Sequence, residues 1–468
     1  MRARVDASPL IRTVQADSGA SEGKAASVAS AVATSPPGES GIVRRIFAGL
    51  SLLLGGKAGA GLISLAYLSL ATRFLGPADY GVLVLVHAYV TTVCGIIEFP
   101  AWQAIVRYGA EAQREGQTHR LSRLLWFATK LELSAGVLAV ISAAALVPLV
   151  GPHLGWPPKA MAFAPYYAFA VLGSVRSVPM GYLRLVGRFD LLGLHNLVQP
   201  VIRLGGTIIV MACGWGIKSF LVAWLLSSLF EFGVLWAMGI WFAYRDLGPA
   251  LLRTERGATA AENEGIWRFL VATNADLTFS DLAGRAAPLI VGWTLGPAMA
   301  GMLAVAQRAT VIIAQPAQVL GNTVYSELAH IVAAGQGGSP LRRTLVKVIA
   351  ISLLAALPVV ALVLLVPHQI SRLLAGSAFD AVAPVMAMLV VARALALIGP
   401  PCSSALTALG APMRSMAANL FASLVVLPPL PFLLTTFGLM GAAYQALIQA
   451  VLGSGLLAVL VWRRSLRH

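Results

Sequence analysis

Seven basic residues, Lys57, Lys130, Arg176, Arg203, Arg285, Arg308 and Arg393, stand inside apolar stretches long enough to cross a bilayer. A Lys or Arg at the centre of a membrane helix costs about 2.5 to 3.5 kcal/mol on insertion scales, so such residues usually face a bundle interior or a wet cavity. The same stretches hold five acids, Glu98, Glu132, Glu231, Asp276 and Asp281, which leaves the interior modestly cationic. The chemistry open to such an interior is the binding of anions, because an arginine presents several donors in a planar fork and stays charged at any physiological pH.

One stretch concentrates its polar groups on a single face. At about 100° per residue, Asn274, Thr278, Asp281 and Arg285 fall within an arc of about 60°. Asp281 and Arg285 are four apart and can pair, lowering each other's insertion cost. Two readings of the stripe stand, a polar contact between helices and a cavity lining, and Gln307 with Arg308 on the next stretch favours the lining. Arg176 and Arg393 occupy equivalent stretches of the two halves and either line a cavity or, for Arg176, snorkel to an interface. Lys130 and Arg203 lie nearer span ends and are expected to snorkel. Lys57 sits in Gly55-Gly56-Lys57-Ala58-Gly59-Ala60-Gly61, where small residues permit close helix packing or a bend. The candidate binding residues are therefore Lys57, Arg176, Asn274, Arg285, Gln307, Arg308 and Arg393.

Other chemistry finds no footing. Cys94, Cys213 and Cys402 are distant, odd in number and within or beside apolar segments, as small core hydrophobes are, so neither a disulfide framework nor a metal site is expected. The seven histidines show no HExxH spacing, and Lys57 lacks the residues that make a phosphate loop. No catalytic residue, metal or cofactor is expected. The net charge of +15 reads as cytoplasmic-loop Lys and Arg rather than as nucleic-acid binding.

The elements that position these groups follow from composition. Of the 468 residues, 58% are hydrophobic and 11% charged, against roughly a quarter charged in a soluble domain. Spans of about 20 residues recur, and twelve helices are expected, over 46–72, 81–104, 124–150, 160–183, 191–216 and 219–244, then 267–294, 299–321, 345–367, 381–400, 417–438 and 440–462. Residues 1–43, rich in Ala, Ser and Gly, are expected to form a disordered cytoplasmic tail. The connecting loops alternate in charge: with both termini inside, 23 Lys and Arg fall on the cytoplasmic side and only Arg73, Lys159, Lys218 and Arg372 opposite.

An internal repeat divides the chain. Leu75-Gly76-Pro77-Ala78 with Gly81 and Leu83 recurs 220 residues later as Leu295-Gly296-Pro297-Ala298 with Gly301 and Leu303. An offset of six helices relates the halves by an axis along the membrane normal, with a cavity expected between them. An all-α polytopic fold of two six-helix bundles, residues 44–250 and 251–468, follows.

The segment Ala71-Thr72-Arg73-Phe74-Leu75-Gly76-Pro77-Ala78-Asp79-Tyr80-Gly81 resembles the hallmark between the first two helices of polysaccharide flippases of the Wzx type. Ala104-Ile105-Val106-Arg107-Tyr108-Gly109, Leu295-Gly296-Pro297 and Ala306-Gln307-Arg308 fit the same pattern. The resemblance implies the multidrug/oligosaccharidyl-lipid/polysaccharide (MOP) superfamily, with a MATE-like fold that alternates its cavity between faces of the bacterial inner membrane. It implies an undecaprenyl-pyrophosphate-linked oligosaccharide as substrate, membrane lipid as surroundings, and a polysaccharide polymerase and export machinery as partners. Members often carry an acid shortly before the second Leu-Gly motif, where this chain has Ala287-Pro288, so ion coupling falls to Asp281 or Asp276. A MATE-type drug exporter calls for an acidic cavity, and a lipid II flippase usually has fourteen helices. A membrane glycosyltransferase, polymerase or ligase needs a large extracytoplasmic loop, whereas the longest one expected here covers roughly residues 368–380.

Overall fold

The computed structural model describes residues 39–251, 259–308, 310, 338–409 and 411–465. The side chains of Asp276 and Asp281 and the expected tail up to residue 38 lie outside the described residues. Two compact units are present, Met1–Leu52, described only as helix from Glu39, and Leu53–His468.

The described residues are helical and contain no strand, as a chain without water to satisfy its backbone must be. Seven of the described helices are individually long and apolar enough to cross a membrane, and a bent pair over 413–437 adds an eighth. Sharp breaks account for two of the others. The helix Glu39–Ile97 is two spans joined at Gly76. The fourth span is divided into Pro158–Tyr167, a 3-10 segment Ala168–Ser174 and Ser177–Leu185. The seventh, Ile266–Leu295, carries the polar stripe, and the eighth begins at 297 and is described to its middle. With these the helices match the twelve expected. The third, fifth, sixth, ninth and twelfth are Thr118–Ala145, Phe189–Ala212, Ile217–Leu247, Ser339–Leu365 and Met440–Ser465.

Packing runs within each half of the chain: the sixth span lies on the fifth and on the 3-10 segment of the fourth, and the twelfth on the tenth and eleventh. Large apolar side chains such as Trp241, Leu354, Leu365 and Phe432 point outward, as lipid contact requires and a water-facing surface does not allow.

The repeated motif acquires a physical meaning. Gly76 has φ 70°, ψ 178° and Gly296 has φ 86°, ψ 171°, the same turn in both halves and one that an L side chain rarely adopts. Pro77 and Pro297 follow, their fixed φ suited to starting the next helix where a backbone N–H is not needed. One turn further on, the two motifs meet. A Cβ on Gly81 would collide with the carbonyl of Pro297, and one on Gly301 with the backbone of Gly81 and the carbonyl of Pro77. The twin motifs are thus a backbone-to-backbone contact that joins the second and eighth spans, possible only for glycine.

The fourth span breaks where its backbone can be satisfied by other helices. Glu132 of the third span is buried and accepts from the backbone N–H of both Ser177 and Val178, while Trp236 Nε1 donates to the Val175 carbonyl at 2.8 Å. Non-helical backbone at membrane depth is tolerated when it is buried in protein in this way. The corresponding tenth span runs through Ala383–Ala396 and Gly399–Ala408 with Leu397 and Ile398 between them still in right-handed helical backbone.

Gly81→Ala is expected to cost about 1 to 3 kcal/mol by overpacking. Gly205→Ala, on a helix face with open space around it, is expected to be neutral or stabilising by up to about 1 kcal/mol. Thermal melting of the purified protein in detergent compares them; equal midpoints for the two variants would remove the role assigned to the twin motif.

Candidate functional site

Two cavities flank the seventh span. The smaller, about 180 Å³, is lined by Glu98, Trp102, Arg176, Thr278 and Arg285 and so joins side chains from both halves. The break in the fourth span sets Arg176 at the head of Ser177–Leu185, from where Nη1 donates to Glu231 Oε1 at 2.9 Å. Glu231 is buried and also accepts from Gln199 Nε2 at 2.7 Å, with His195 Nε2 at 3.3 Å from its backbone carbonyl. Arg285 lies 3.7 Å from Glu98 and donates to the Thr91 carbonyl at 3.1 Å, and its guanidinium fills the space that a side chain at Gly95 would take. Both arginines of this pocket therefore face a carboxylate. A buried or half-buried ion pair of this kind is costly to break, because removing one partner leaves the other uncompensated.

The larger cavity, about 650 Å³, lies in the second half. Gln307, Arg393, Asn419, Gln445 and Gln449 are among its polar groups, with the hydroxyls of Thr310, Ser403, Ser423 and Ser454, and Gly284 and Ala287 present the other face of the seventh span to it. Arg393 is exposed to this space in the last turn of Ala383–Ala396 and has no hydrogen-bond or carboxylate partner among the described residues. No Asp or Glu lines the cavity among the described residues. Gln445 Nε2 donates to Gln449 Oε1 and Gln449 Nε2 to Ser423 Oγ, each at 3.2 Å.

Of the residues singled out in the sequence, Arg176 and Arg285 meet in the smaller pocket, with Thr278 of the stripe, and Arg393 and Gln307 meet in the larger one. Arg308 is exposed and stands within electrostatic range of the buried Tyr67 and Tyr80. Asn274 is buried and donates to the Leu270 carbonyl at 2.7 Å, its own oxygen without a partner among the described residues. Lys57 belongs to a packing seam: a Cβ on neighbouring Gly56 would strike the Gly193 carbonyl of the fifth span. The proposed pairing of Asp281 with Arg285 falls outside the described side chains.

Arg203 does not snorkel. It is 2% exposed, with its guanidinium 4.3 Å from the Trp224 ring, and donates to Ser227 Oγ at 3.1 Å. Its Nη2 lies 3.5 Å from His87 Nε2. Since a guanidinium only donates, His87 Nε2 accepts and Nδ1 carries the proton toward Tyr167 Oη, 2.9 Å away. The amides Asn419, Gln445 and Gln449 were not found from the sequence; their signal was the presence of uncharged polar residues in otherwise apolar spans eleven and twelve.

The architecture is that of the MATE transporters. A MATE transporter of the MOP superfamily in its inward-facing conformation superposes with a TM-score of 0.57 at 18% identity, over 89% of this chain and 93% of that one. A MOP superfamily transporter from Pyrococcus furiosus gives 0.61 at 16% identity over 89% and 93%. The Vibrio cholerae MATE transporter VcmN gives 0.61 at 14% identity over 92% and 98%. Within this fold, residues 70–384 match the family described as "Polysaccharide biosynthesis protein", to which the chain belongs. The inner membrane protein YghQ of Escherichia coli K12 is 28% identical over 274 residues, 58% of this chain and 76% of that protein.

Arg176→Gln is expected to lower stability by about 1 to 3 kcal/mol, since Glu231 stays buried with Gln199 as its remaining side-chain donor. Arg393→Gln, with no partner to orphan, should stay within about 0.5 kcal/mol of the original protein. Melting midpoints of the two variants in the same detergent test the distinction, and reversal of the order would contradict the pairing described.

Proposed function

We propose that the protein is a flippase that moves undecaprenyl-pyrophosphate-linked oligosaccharide across the bacterial inner membrane by alternating access, with residues 44–250 and 251–468 as the two moving bundles and both termini cytoplasmic. The observation that carries this reading is the larger cavity, where Arg393 is exposed and no acid is found among the described lining residues. A cavity of that charge attracts a pyrophosphate and disfavours the cationic substrates of a drug exporter. Membership in the polysaccharide biosynthesis family supports the glycan. The Pyrococcus furiosus transporter of the same fold is described as having a binding pocket of reverse polarity that suggests a different function.

The roles divide by electrostatics. Arg393 is the principal anion contact, Arg308 a further exposed cation on the eighth span, and Gln307 a neutral contact. Arg176 and Arg285 are already paired and orient the break in the fourth span and the seventh helix. Asp276 and Asp281 are the candidates for ion coupling. The lipid tail stays in the bilayer while the head group crosses, so neither a catalytic residue nor a cofactor takes part. A polysaccharide polymerase and export machinery would take up the product.

Expression in a bacterial strain that lacks its own flippase tests this. The protein should restore surface polysaccharide, Arg393→Gln should reduce it about tenfold to a hundredfold, as loss of a charged hydrogen bond implies, and Arg393→Lys should retain part of it. Loss should come with accumulation of lipid-linked oligosaccharide at unchanged protein level. Normal export by a normally inserted Gln variant contradicts the role of Arg393.

A further inference from the structure

Within the flippase reading, on which this rests, we infer that the 650 Å³ cavity is a saccharide subsite for uncharged sugar residues bearing hydroxyl or acetamido groups, with one phosphate-type anion set against Arg393. Its walls come from five spans: Gly284 and Ala287 from the seventh, Gln307 from the eighth, Arg393 from the tenth, Asn419 and Ser423 from the eleventh, Gln445 and Gln449 from the twelfth. The volume falls in the range of about 300 to 1,000 Å³ in which sites enclose most of a small organic ligand. It is far larger than an isolated phosphate requires.

Four of the lining side chains are carboxamides, beside the hydroxyls of Thr310, Ser403, Ser423 and Ser454. A carboxamide offers two donors and an acceptor, which matches a sugar hydroxyl that both gives and accepts, and an acetamido group that does the same. The chain from Gln445 through Gln449 to Ser423 fixes two of these amides in orientation. The side-chain amides of Gln307 and Asn419 have no hydrogen-bond partner among the described residues, so their donors and acceptors are open to a ligand.

Charge sets the limit on what enters. Arg393 carries the only formal charge among the described lining residues. One anion is therefore matched, a uronic acid on the glycan finds no second guanidinium in this cavity, and a cation meets repulsion. The smaller pocket does not compete for the anion, because Arg176 and Arg285 already face Glu231 and Glu98 there.

The test uses the full chain in lipid nanodiscs and three probes: polyprenyl pyrophosphate without sugar, the same lipid carrying a neutral trisaccharide with an N-acetylhexosamine, and the same lipid carrying a trisaccharide with one uronic acid. The neutral glycolipid should bind tighter than the bare lipid, and the uronic acid should add nothing. Asn419→Ala and Gln307→Ala should each weaken the neutral glycolipid about threefold to tenfold and leave the bare lipid within about twofold. Arg393→Gln should weaken both lipids about tenfold or more. Melting midpoints report folding, which does not depend on Asn419 or Gln307 if their amides are unpartnered. Equal loss for bare and neutral lipids in both amide variants, no loss in either, or tighter binding of the uronic-acid lipid overturns the subsite. Failure of the unaltered protein to bind any of the three lipids overturns the flippase reading itself.

Discussion

An arginine placed in hydrocarbon must be neutralised, stacked or wetted, since an isolated one costs several kcal/mol, and each of the solutions in this protein shapes the helix that carries it. Arg176 is met by Glu231, and the broken fourth span is what lets it reach. Arg285 is met by Glu98 across a glycine left bare for its guanidinium. Arg203 is stacked on Trp224 and hydrogen-bonded to Ser227. Arg393 has none of these among the described residues and opens instead onto a cavity. The difference between a structural cation and one available to a substrate is whether its charge is already spent.

The Leu-Gly-Pro-Ala motif serves the same economy of backbone. A positive-φ glycine ends one helix, proline starts the next without an orphan donor, and a second glycine one turn later brings the two copies into direct contact. Because the contact is between backbones, it depends on the absence of side chains rather than on any attraction between them. Such an interface can separate and reform without breaking side-chain hydrogen bonds.

Much of this was legible in the sequence, for a physical reason: hydrocarbon allows few backbone solutions, so span number, helical class and the two-fold repeat follow from apolar length and the Leu75 and Leu295 motifs alone. The intramembrane charges were legible too, because each is rare against its surroundings. What they do was not. Whether Arg176 or Arg393 has a carboxylate nearby depends on contacts between helices distant in sequence, Glu231 lying 55 residues from Arg176. The expectation that Arg203 snorkels failed because distance from a span end, read along one helix, ignores the Trp224 ring supplied by another. The amides of the eleventh and twelfth spans were passed over because a search for charge does not weigh neutral polar groups.

Reconstitution measures directly whether a glycolipid crosses the bilayer through the cavity that holds Arg393. Proteoliposomes carrying the purified protein and a polyprenyl-pyrophosphate-linked neutral oligosaccharide would be sampled with a soluble glycosidase that reaches only the outer leaflet. The unaltered protein should make nearly all of the glycolipid accessible, and Arg393→Gln should do so about tenfold to a hundredfold more slowly, with about half still protected when the unaltered protein has finished. Exposure at the same rate with the Arg393→Gln protein, or continued protection with the unaltered one, would contradict transport through this cavity.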